Sequence, residues 1–547
     1  MHSLELITEI KTPGGRASAS SELAQVQTPW QRYALYGALL LVILFFALVR
    51  LHLRHMPLER DEGEYAYSGQ LMLDGIPPYK LAYNMKLPGT YASYAVIMAV
   101  FGQTPARIHL GILLVNAATT FLVFLLAKRI HGPLTGLIAG CTYALLSTRS
   151  SVLGLQGHAT HFVALAAVAG ILILLRSLDT GQISLFFLSG LALGVGILMK
   201  QHGAFLALFA GLYALWSQRQ IRLRDLALRG SVFAAGVVLP FVVTCLILVH
   251  EGVFRQFWFW TFSYGRAYAS EISLAQGWEM IRAVGPWMLR PAVIWEIAGV
   301  GLTALLWNNK VRSQSAFSVG FLLFSILAVL PGYYFRPHYF ILLLPAASLW
   351  TGIGVAATRD LLLERRAKPW LAALPVLIFA LAFLLSVRGQ RKFYFHWDPQ
   401  QALHDSHGCG DGCAEDGEVA DYLRANSAPQ DQVAVLGSEP AIYFYSHRHS
   451  ATGYIYMYGL TEKQKYAQQM RQEMIAEVEK AQPPFVVYVD NADSWWNLGS
   501  TKELAYLQPL QQWIFAHYEM EKRIPIAGTA QHQWSDQAAF YIFRRKN

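Results

Sequence analysis

The dominant pattern along the chain is a series of apolar runs separated by short polar segments. A helix needs about 17 to 25 mostly apolar residues to cross the hydrocarbon core of a bilayer, and there it satisfies its own backbone hydrogen bonds. Eleven runs approach or reach that length. We therefore predict about eleven transmembrane helices, near residues 33–53, 107–127, 132–148, 159–178, 183–199, 203–217, 231–250, 287–307, 317–335, 339–357 and 370–387.

The charges of the loops orient these helices. If the amino terminus is cytoplasmic, the loops on the same side contain 13 Lys and Arg residues, as expected because cytoplasmic loops are enriched in these residues. The pattern predicts a cytoplasmic segment 1–32, a transmembrane region 33–387 whose first outer loop is 54–106, and a region 388–547 on the outer side of the membrane.

Two parts of the chain outside the spans have patterns of their own. In the first loop, residues 64–73 can form a short amphipathic helix and residues 91–101 form an apolar segment, and we expect both to lie along the outer interface. In the last region, helical stretches near 416–426, 462–481 and 502–518 alternate with β-rich runs 433–436, 485–489 and 540–543. This alternation predicts a soluble α/β domain, and no GxGxxG or P-loop motif opens its helices.

Composition supports the membrane assignment. The 547 residues are 54% hydrophobic and 14% charged, whereas ordinary soluble proteins carry roughly 25% charged residues. Residues 1–387 hold 29 Lys and Arg against 16 Asp and Glu, a net charge of +13, and residues 388–547 hold 15 against 19, a net charge of −4. The positive charge lies in short loops without interleaved aromatic residues, which excludes a nucleic-acid-binding surface.

The four cysteines fall into two groups. Cys141 and Cys245 lie within apolar runs, whereas Cys409 and Cys413 lie in a polar, Gly-rich stretch. A Cys-x3-Cys pair without a second Cys pair or a well-spaced His pair is a poor zinc site. A Cys409–Cys413 disulfide in an oxidising compartment is therefore favoured over a metal site.

The first loop contains the strongest candidates for catalytic residues. Asp61, Glu62 and Glu64 follow the first span, and Tyr65 is adjacent to them. One interpretation is that these carboxylates only stabilise the start of a helix through its dipole. The other is that a carboxylate held beside an acceptor hydroxyl acts as a general base, and the position beyond the first span favours this function for Asp61 or Glu62.

Cations near the ends of the spans are candidate phosphate ligands. Lys86 stands between apolar residues next to Pro88, after Tyr83, and Arg336 and His338 lie in a short aromatic turn. Each of these side chains is either an interfacial anchor or a ligand of an anion. The same two interpretations apply to further residues of the predicted outer loops: Lys200, Arg266 and Tyr339.

His158 and His161 are three residues apart and would share a helix face. With a first-loop carboxylate they could bind a metal, although histidines that pack or hydrogen-bond without a metal are commoner. We predict no metal ligand, and a divalent metal is an alternative that the sequence does not favour.

The order of three motifs, Asp61-Glu62-Gly63-Glu64, Lys86-Leu87-Pro88 and Phe335-Arg336-Pro337-His338-Tyr339-Phe340, resembles the C-fold (GT-C) membrane glycosyltransferases, and most closely the branch of protein mannosyltransferases and the lipid A aminoarabinose transferase. The resemblance implies a polyprenyl-phosphate sugar donor such as undecaprenyl phosphate, no other cofactor, and inverting transfer to a periplasmic acceptor. It also implies that 33–387 is the catalytic region, that 388–547 is a periplasmic domain, and that the protein lies in the cytoplasmic (inner) membrane of a bacterium. It maps the catalytic acid to Asp61, with Glu62 adjacent, and the phosphate-facing lysine to Lys86. Here the lysine precedes Leu-Pro, where the family commonly has Pro-Pro.

The chemistry of such a transfer needs a base for the acceptor and cations for the leaving phosphate, and one-step inversion needs no second carboxylate nucleophile. The acceptor would be a lipid, a glycan, or a protein hydroxyl or amine.

Two other functions remain open. A transporter or flippase for a lipid-linked or anionic substrate would also use cations in a bundle of spans, and a noncatalytic scaffold would not need the acid-lysine loop.

Overall fold

A computed structural model describes residues 29–406, 412–495, 508–526 and 538–546 of the protein. The first part is helical. Its helices are α1 (Pro29–His52), α2 (Arg60–Leu73), α3 (Gly89–Phe101), α4 (Pro105–His131), α5 (Pro133–Leu146), α6 (Ala159–Thr180), α7 (Ile183–Met199), α8 (Gly203–Ser217), α9 (Leu223–His250), α10 (Phe254–Trp258), α11 (Gly265–Ala269), α12 (Leu274–Met288), α13 (Ala292–Trp307), α14 (Asn309–Ser313), α15 (Ser315–Leu327), α16 (Leu344–Glu364) and α17 (Pro369–Gly389).

Several of these helices are suited to a membrane by length and composition. Within the described ranges, five qualify as spans, namely those of α1, α4, α6, α9 and α17, and the bent pair α12 and α13 would make a sixth. Helices α3, α5, α7, α8 and α15 are apolar but have only 10 to 17 residues. The protein is therefore a helical membrane protein, and the count of eleven spans stays a prediction.

Three predicted spans differ from the observed helices. The run 287–307 is broken, because α12 ends at Met288 and α13 begins at Ala292 with a bend of 105°. The run 317–335 loses its helix after Leu327, and the run 339–357 begins as a 3-10 helix, Pro337–Leu342, before α16. Arg290-Pro291 lies in the first break and Pro331-Gly332 follows the end of α15, so local helix-breaking residues mark these sites although the long apolar runs suggested continuous helices.

Close helix packing around α7 depends on small residues. A Cβ at Gly190 of α7 would lie 2.1 Å from the carbonyl oxygen of Phe233, and one at Gly236 of α9 would lie 2.3 Å from that of Phe187. Small residues allow helix backbones to approach closely in membrane proteins. The contact holds α7 against α9 and so fixes the end of α7, where Lys200 follows.

The first loop is more deeply buried than its sequence predicts. Helix α2 begins at Arg60 and is capped by Glu59, whose Oε1 accepts a hydrogen bond from the backbone N–H of Glu62 at 3.0 Å. Every residue from Glu62 to Leu71 is buried. The expectation of an interfacial helix is therefore wrong for α2, because the last region of the chain covers the face that would meet the interface.

The last region combines a sheet with helices. Its elements are α18 (Pro399–Asp405), α19 (Asp416–Asn426), β1 (Gln432–Leu436), α20 (Ala441–Ser446), β2 (His449–Ser450), α21 (Tyr458–Thr461), α22 (Ala467–Ala481), β3 (Phe485–Asp490), α23 (Gln508–His517), β4 (Tyr518–Pro525) and β5 (Ala539–Arg545).

The sheet order is β2-β1-β3-β5-β4, in which β1 pairs in parallel with β2 and β3, and β5 pairs antiparallel with β3 and β4. All residues of β3 are buried, which explains its continuous apolar run. Strands β2 and β4 were not predicted, and the helix predicted at 462–481 begins only at Ala467. Cys413 is disulfide-bonded, while Cys409, its predicted partner, lies outside the described residues.

The last region docks directly on α2. The Tyr67 ring stacks on that of Tyr443 with centroids 5.1 Å apart, and the backbone N–H of Ser450 donates to the Tyr67 hydroxyl at 2.8 Å. A Cβ at Gly63 would lie only 2.7 Å from that of Ala441. Helix α2 is consequently shared by the helical bundle and the sheet region.

Candidate functional site

A cavity of about 500 Å³ lies between the helical bundle and the last region. The start of α2, the loop before α3, the ends of α6 and α7, the segment 260–269, the turn 331–339 and the segment 456–462 line it. Nine of the residues predicted for the site meet there: Asp61, Tyr65, Tyr83, Lys86, His158, Lys200, Arg336, His338 and Tyr339.

Asp61 lies in the first turn of α2, where it is directed into the cavity and one-fifth exposed. Glu59 forms the helix cap, so the capping role that the sequence offered to Asp61 or Glu62 belongs to Glu59 together with Glu62. The side chain of Asp61 therefore takes no part in the capping hydrogen bonds of α2. This separates the structural carboxylates from the carboxylate available for chemistry.

Lys86 forms ion pairs with two carboxylates. Its Nζ atom lies 2.7 Å from Asp61 Oδ1 and 2.5 Å from Glu64 Oε2, and the Tyr91 hydroxyl donates to Glu64 Oε1 at 2.5 Å. Burial raises the pKa of Asp61, but Lys86 and the nearby histidines lower it further, so its pKa lies well below the usual range. The pKa of Glu64 is raised, first by burial, although Lys86 opposes this. Asp61 is therefore ionised at neutral pH.

The other oxygen of Asp61 faces two histidines. Oδ2 lies 3.8 Å from His158 Nδ1 and 3.9 Å from His338 Nε2, and the two imidazoles stack with centroids 4.0 Å apart. The donor atoms of these three residues lie within 4.8 Å of one another, close enough to hold a metal ion. The sequence pairs His158 with His161, whereas the structure pairs it with His338.

Lys200 and Tyr339 form the other cationic part of the cavity. Lys200 Nζ lies 3.9 Å from the centroid of the Tyr339 ring and 3.4 Å from His338 Nε2. No described carboxylate lies within ion-pair distance of this amine. Burial lowers the pKa of Lys200 to about 7, reinforced by Lys86 and Arg336 and opposed by Asp61. A bound anion would restore the charged form of this lysine.

Four predicted residues do not line the cavity. Glu62 is buried and accepts hydrogen bonds from the backbone N–H of Gly157 at 2.5 Å and from His109 Nε2 at 3.1 Å. Glu64 reaches the cavity only through Lys86. His161 is buried within α6, and Arg266 lies at a separate surface depression. These positions give Glu62 a structural role and remove Arg266 from the cavity.

The segment 456–462 contributes residues that the sequence did not single out. The Tyr456 hydroxyl donates to Asp61 Oδ1 at 3.0 Å, and Tyr458 and Glu462 also line the cavity. Arg60 of α2 binds the last region of the chain through an ion pair with Glu439 of 2.6 Å. The only signal in the sequence is the density of tyrosines between residues 454 and 458.

Comparison with known proteins supports the predicted resemblance. The family described as dolichyl-phosphate-mannose-protein mannosyltransferase matches residues 87–264. An undecaprenyl phosphate-alpha-4-amino-4-deoxy-L-arabinose arabinosyl transferase of Pseudomonas aeruginosa (strain UCBPP-PA14) is 31% identical over 215 residues, which are 37% of this chain. The match spans only 38% of that relative's length.

Similarity to solved structures extends over nearly the whole chain. The crystal structure of ArnT from Cupriavidus metallidurans bound to undecaprenyl phosphate aligns with a TM-score of 0.57 and 15% identity, covering 93% of this chain and 98% of ArnT. The oligosaccharyltransferase AglB of Archaeoglobus fulgidus, in complex with an inhibitory peptide and a dolichol-phosphate, aligns with a TM-score of 0.52 and 12% identity, covering 93% of this chain and 75% of AglB. At these identities the similarity establishes the fold. The resemblance that the order of the loop motifs predicts is therefore confirmed at the level of the fold.

Proposed function

We propose that the protein is an inverting glycosyltransferase that moves a sugar from a polyprenyl-phosphate donor to a periplasmic acceptor. The observation that carries this proposal is one cavity that contains both an ionised carboxylate, Asp61, and a lysine, Lys200, for which the described residues provide no carboxylate partner. The carboxylate of Asp61 can accept the proton of the acceptor, and the amine of Lys200 can bind the phosphate of the donor. The aromatic walls, including Tyr65 and Tyr83, suit the faces of a sugar ring.

The reaction follows from these positions. The acceptor hydroxyl or amine donates a hydrogen bond to Asp61 and attacks the anomeric carbon, and its proton passes to the carboxylate. The bond between that carbon and the phosphate oxygen breaks, and the electron pair leaves with the polyprenyl phosphate. Lys200 and Arg336, on the wall of the same cavity, stabilise the negative charge on the phosphate.

The role of Lys86 differs from the one that the resemblance implies. Its amine already lies between Asp61 and Glu64, so we propose that it sets the charge of Asp61 and contacts phosphate only secondarily. We propose likewise that lysines, rather than a divalent metal at Asp61, His158 and His338, balance the charges of the reaction, since Lys86 Nζ is 2.7 Å from Asp61.

The proposed setting is the bacterial inner membrane. Eleven spans would place residues 1–32 in the cytoplasm and the region 388–547 in the periplasm, and the cavity would open on the periplasmic side. The names of the similar proteins support a polyprenyl-phosphate donor, because the arabinosyl transferase carries undecaprenyl phosphate in its name and ArnT was crystallised with that lipid. The acceptor and the sugar are left open.

The test is sugar transfer from a panel of labelled polyprenyl-phosphate sugars in membranes that contain the wild-type chain or Asp61→Asn at matched expression. Asp74→Asn is the matched control, because Asp74 ends the same helix but is half exposed and lies away from the cavity. Transfer by the wild type and the control, lost in Asp61→Asn and retained with a chelator, is the expected result. Absence of transfer with every donor and acceptor extract, together with uptake of an anionic lipid, would support the transporter instead.

A further inference from the structure

The two carboxylate oxygens of Asp61 have different surroundings. Oδ1 accepts hydrogen bonds from Lys86 Nζ at 2.7 Å and from the Tyr456 hydroxyl at 3.0 Å. Oδ2 lies 3.8 and 3.9 Å from the nearest nitrogens of His158 and His338, beyond hydrogen-bond distance. One oxygen is therefore held by two donors, while the other remains able to accept a proton.

Tyr456 belongs to the last region of the chain and is 395 positions from Asp61. Its segment is fixed on both sides. Before it, the carbonyl of Gly453 accepts a hydrogen bond from the backbone N–H of Tyr83 at 2.6 Å, and after it the backbone N–H of Met457 donates to Ser438 Oγ at 2.9 Å. The Tyr456 ring also lies 5.3 Å from Lys86 Nζ. The hydroxyl is thus presented to Asp61 from a defined place.

We propose that Tyr456 is a positioning residue that, together with Lys86, holds Asp61 Oδ1 so that Oδ2 is the atom that receives the acceptor proton. This inference rests on the proposed function. In the transfer step, the acceptor proton moves to Oδ2, the acceptor atom bonds to the anomeric carbon, and the bond to the phosphate oxygen breaks with its electron pair. Tyr456 keeps its own proton throughout, because its role is to hold Oδ1.

Loss of the hydroxyl should have two measurable effects. The terminal torsion of an Asp side chain is soft, so without Tyr456 the carboxylate can rotate and present Oδ2 less often. A donated hydrogen bond also favours the ionised carboxylate. In Tyr456→Phe we therefore expect kcat to fall about tenfold, which corresponds to one hydrogen bond to a charged group, with no change in the KM for the donor. The acidic limb of the pH profile should shift to higher pH.

The experiment compares Tyr456→Phe with Tyr454→Phe in the full-length protein, in nanodiscs, with the donor that the wild type uses. Tyr454 is a matched control because its hydroxyl also donates to a carboxylate, Glu473 Oε2 at 2.9 Å, in the same segment but outside the cavity lining. Only Tyr456→Phe should lose kcat and shift the acidic limb. Thermal unfolding of both variants shows whether the fold is retained.

Three outcomes would overturn the inference. These are an unchanged kcat and pH profile in Tyr456→Phe, equal losses in both tyrosine variants, and a loss confined to the donor KM. Asp61→Asn separates this failure from failure of the proposed function. If the wild type transfers sugar and Asp61→Asn does not, the function stands even where Tyr456→Phe behaves like the wild type. If the wild type transfers no sugar, both proposals fail.

Discussion

Two lysines of the same cavity, Lys86 and Lys200, have contrasting surroundings. Lys86 lies within 2.7 Å of the carboxylates of both Asp61 and Glu64. Lys200 instead lies against the Tyr339 ring and His338. The carboxylates raise the pKa of Lys86 despite its burial, whereas burial lowers that of Lys200 to about 7. In the proposed function, the lysine beside the base and the lysine that binds the donor phosphate are therefore distinguished by their partners.

In the proposed reaction, two groups of residues have different tasks. Asp61, Glu64 and Lys86 form a preorganised group in which the base is kept ionised before substrate arrives. Lys200 is the receiving group, whose charge a bound phosphate would compensate, and Arg336 lies on the wall of the same cavity. A substitution in one group should leave the contribution of the other group measurable.

The largest effect is expected from Asp61→Asn. An amide cannot accept the acceptor proton, so kcat should fall about a thousandfold, within the usual range for removal of a general base, while donor binding persists. Single-turnover transfer with saturating donor measures this. A kcat within a few-fold of the wild type would assign the base elsewhere, first to Glu59, which also lines the cavity.

Lys86→Met should be costly because it leaves two carboxylates facing each other. Glu64 is fully buried and Asp61 is one-fifth exposed, and removal of one partner from such a group destabilises a protein by about 3 kcal/mol. The double variant Lys86→Met/Glu64→Gln removes one negative charge as well and should recover part of that loss. Thermal unfolding in nanodiscs measures both, and equal stability of the single and double variants would contradict the shared role of Lys86.

Lys200→Met should raise the donor KM by about ten- to a hundredfold, which corresponds to the loss of one charged hydrogen bond to the phosphate. Its kcat at saturating donor should change less than the KM does. Lys200→Arg, which keeps the charge, is the control and should stay near the wild type. A fall in kcat at unchanged KM would place Lys200 in another role.

The pH dependence of the donor KM tests the lowered pKa of Lys200. Lys200 has a lowered pKa of about 7, so it is protonated below that pH and loses its charge as the pH rises through it. The donor KM should therefore be lowest below about pH 7 and rise up to about tenfold per pH unit above it. Lys200→Arg should flatten this rise, because arginine stays charged. A rise of equal slope in Lys200→Arg would assign the titration to another group.

A smaller effect is expected where the last region approaches the first loop. A Cβ at Gly453 would lie 2.2 Å from the Tyr83 ring, so Gly453→Ala must displace either that ring, which stacks on Trp260, or the segment that carries Tyr456, at a cost of about 1 to 3 kcal/mol. We expect a lower Tm and a severalfold loss of transfer. Gly417→Ala is the control, since its Cβ would meet no atom within 4 Å, and equal behaviour of the two variants would contradict this packing.

The sequence predicted the part of the site that is local. Asp61 and Lys86 lie in the same predicted outer loop, and the sequence singles out both as candidates for the site. Both line the observed cavity and form an ion pair. Glu59 and Glu62 form a capping box in the structure, but Glu is not a preferred N-cap residue, so the sequence did not predict this structural role of Glu62. The predicted positions of β1, β3 and β5 rested on their continuous apolar runs and lie within the observed strands.

The rest of the site depends on contacts between distant segments. Lys200 follows α7 and Tyr339 lies 139 positions later, and only the packing of the bundle brings them together. The docking of the last region depends on side chains such as Arg60 and Glu439, whose pairing no periodicity predicts. Arg266 was included by its position in an outer loop, yet it lies at another surface.

The most direct test of the division between the two lysines is the binding of undecaprenyl phosphate, without a sugar, to the full-length protein in nanodiscs. We expect the wild type and Asp61→Asn to bind the lipid with similar Kd, while Lys200→Met raises the Kd about ten- to a hundredfold. Equal binding by the wild type and Lys200→Met would contradict the assignment of the phosphate to Lys200.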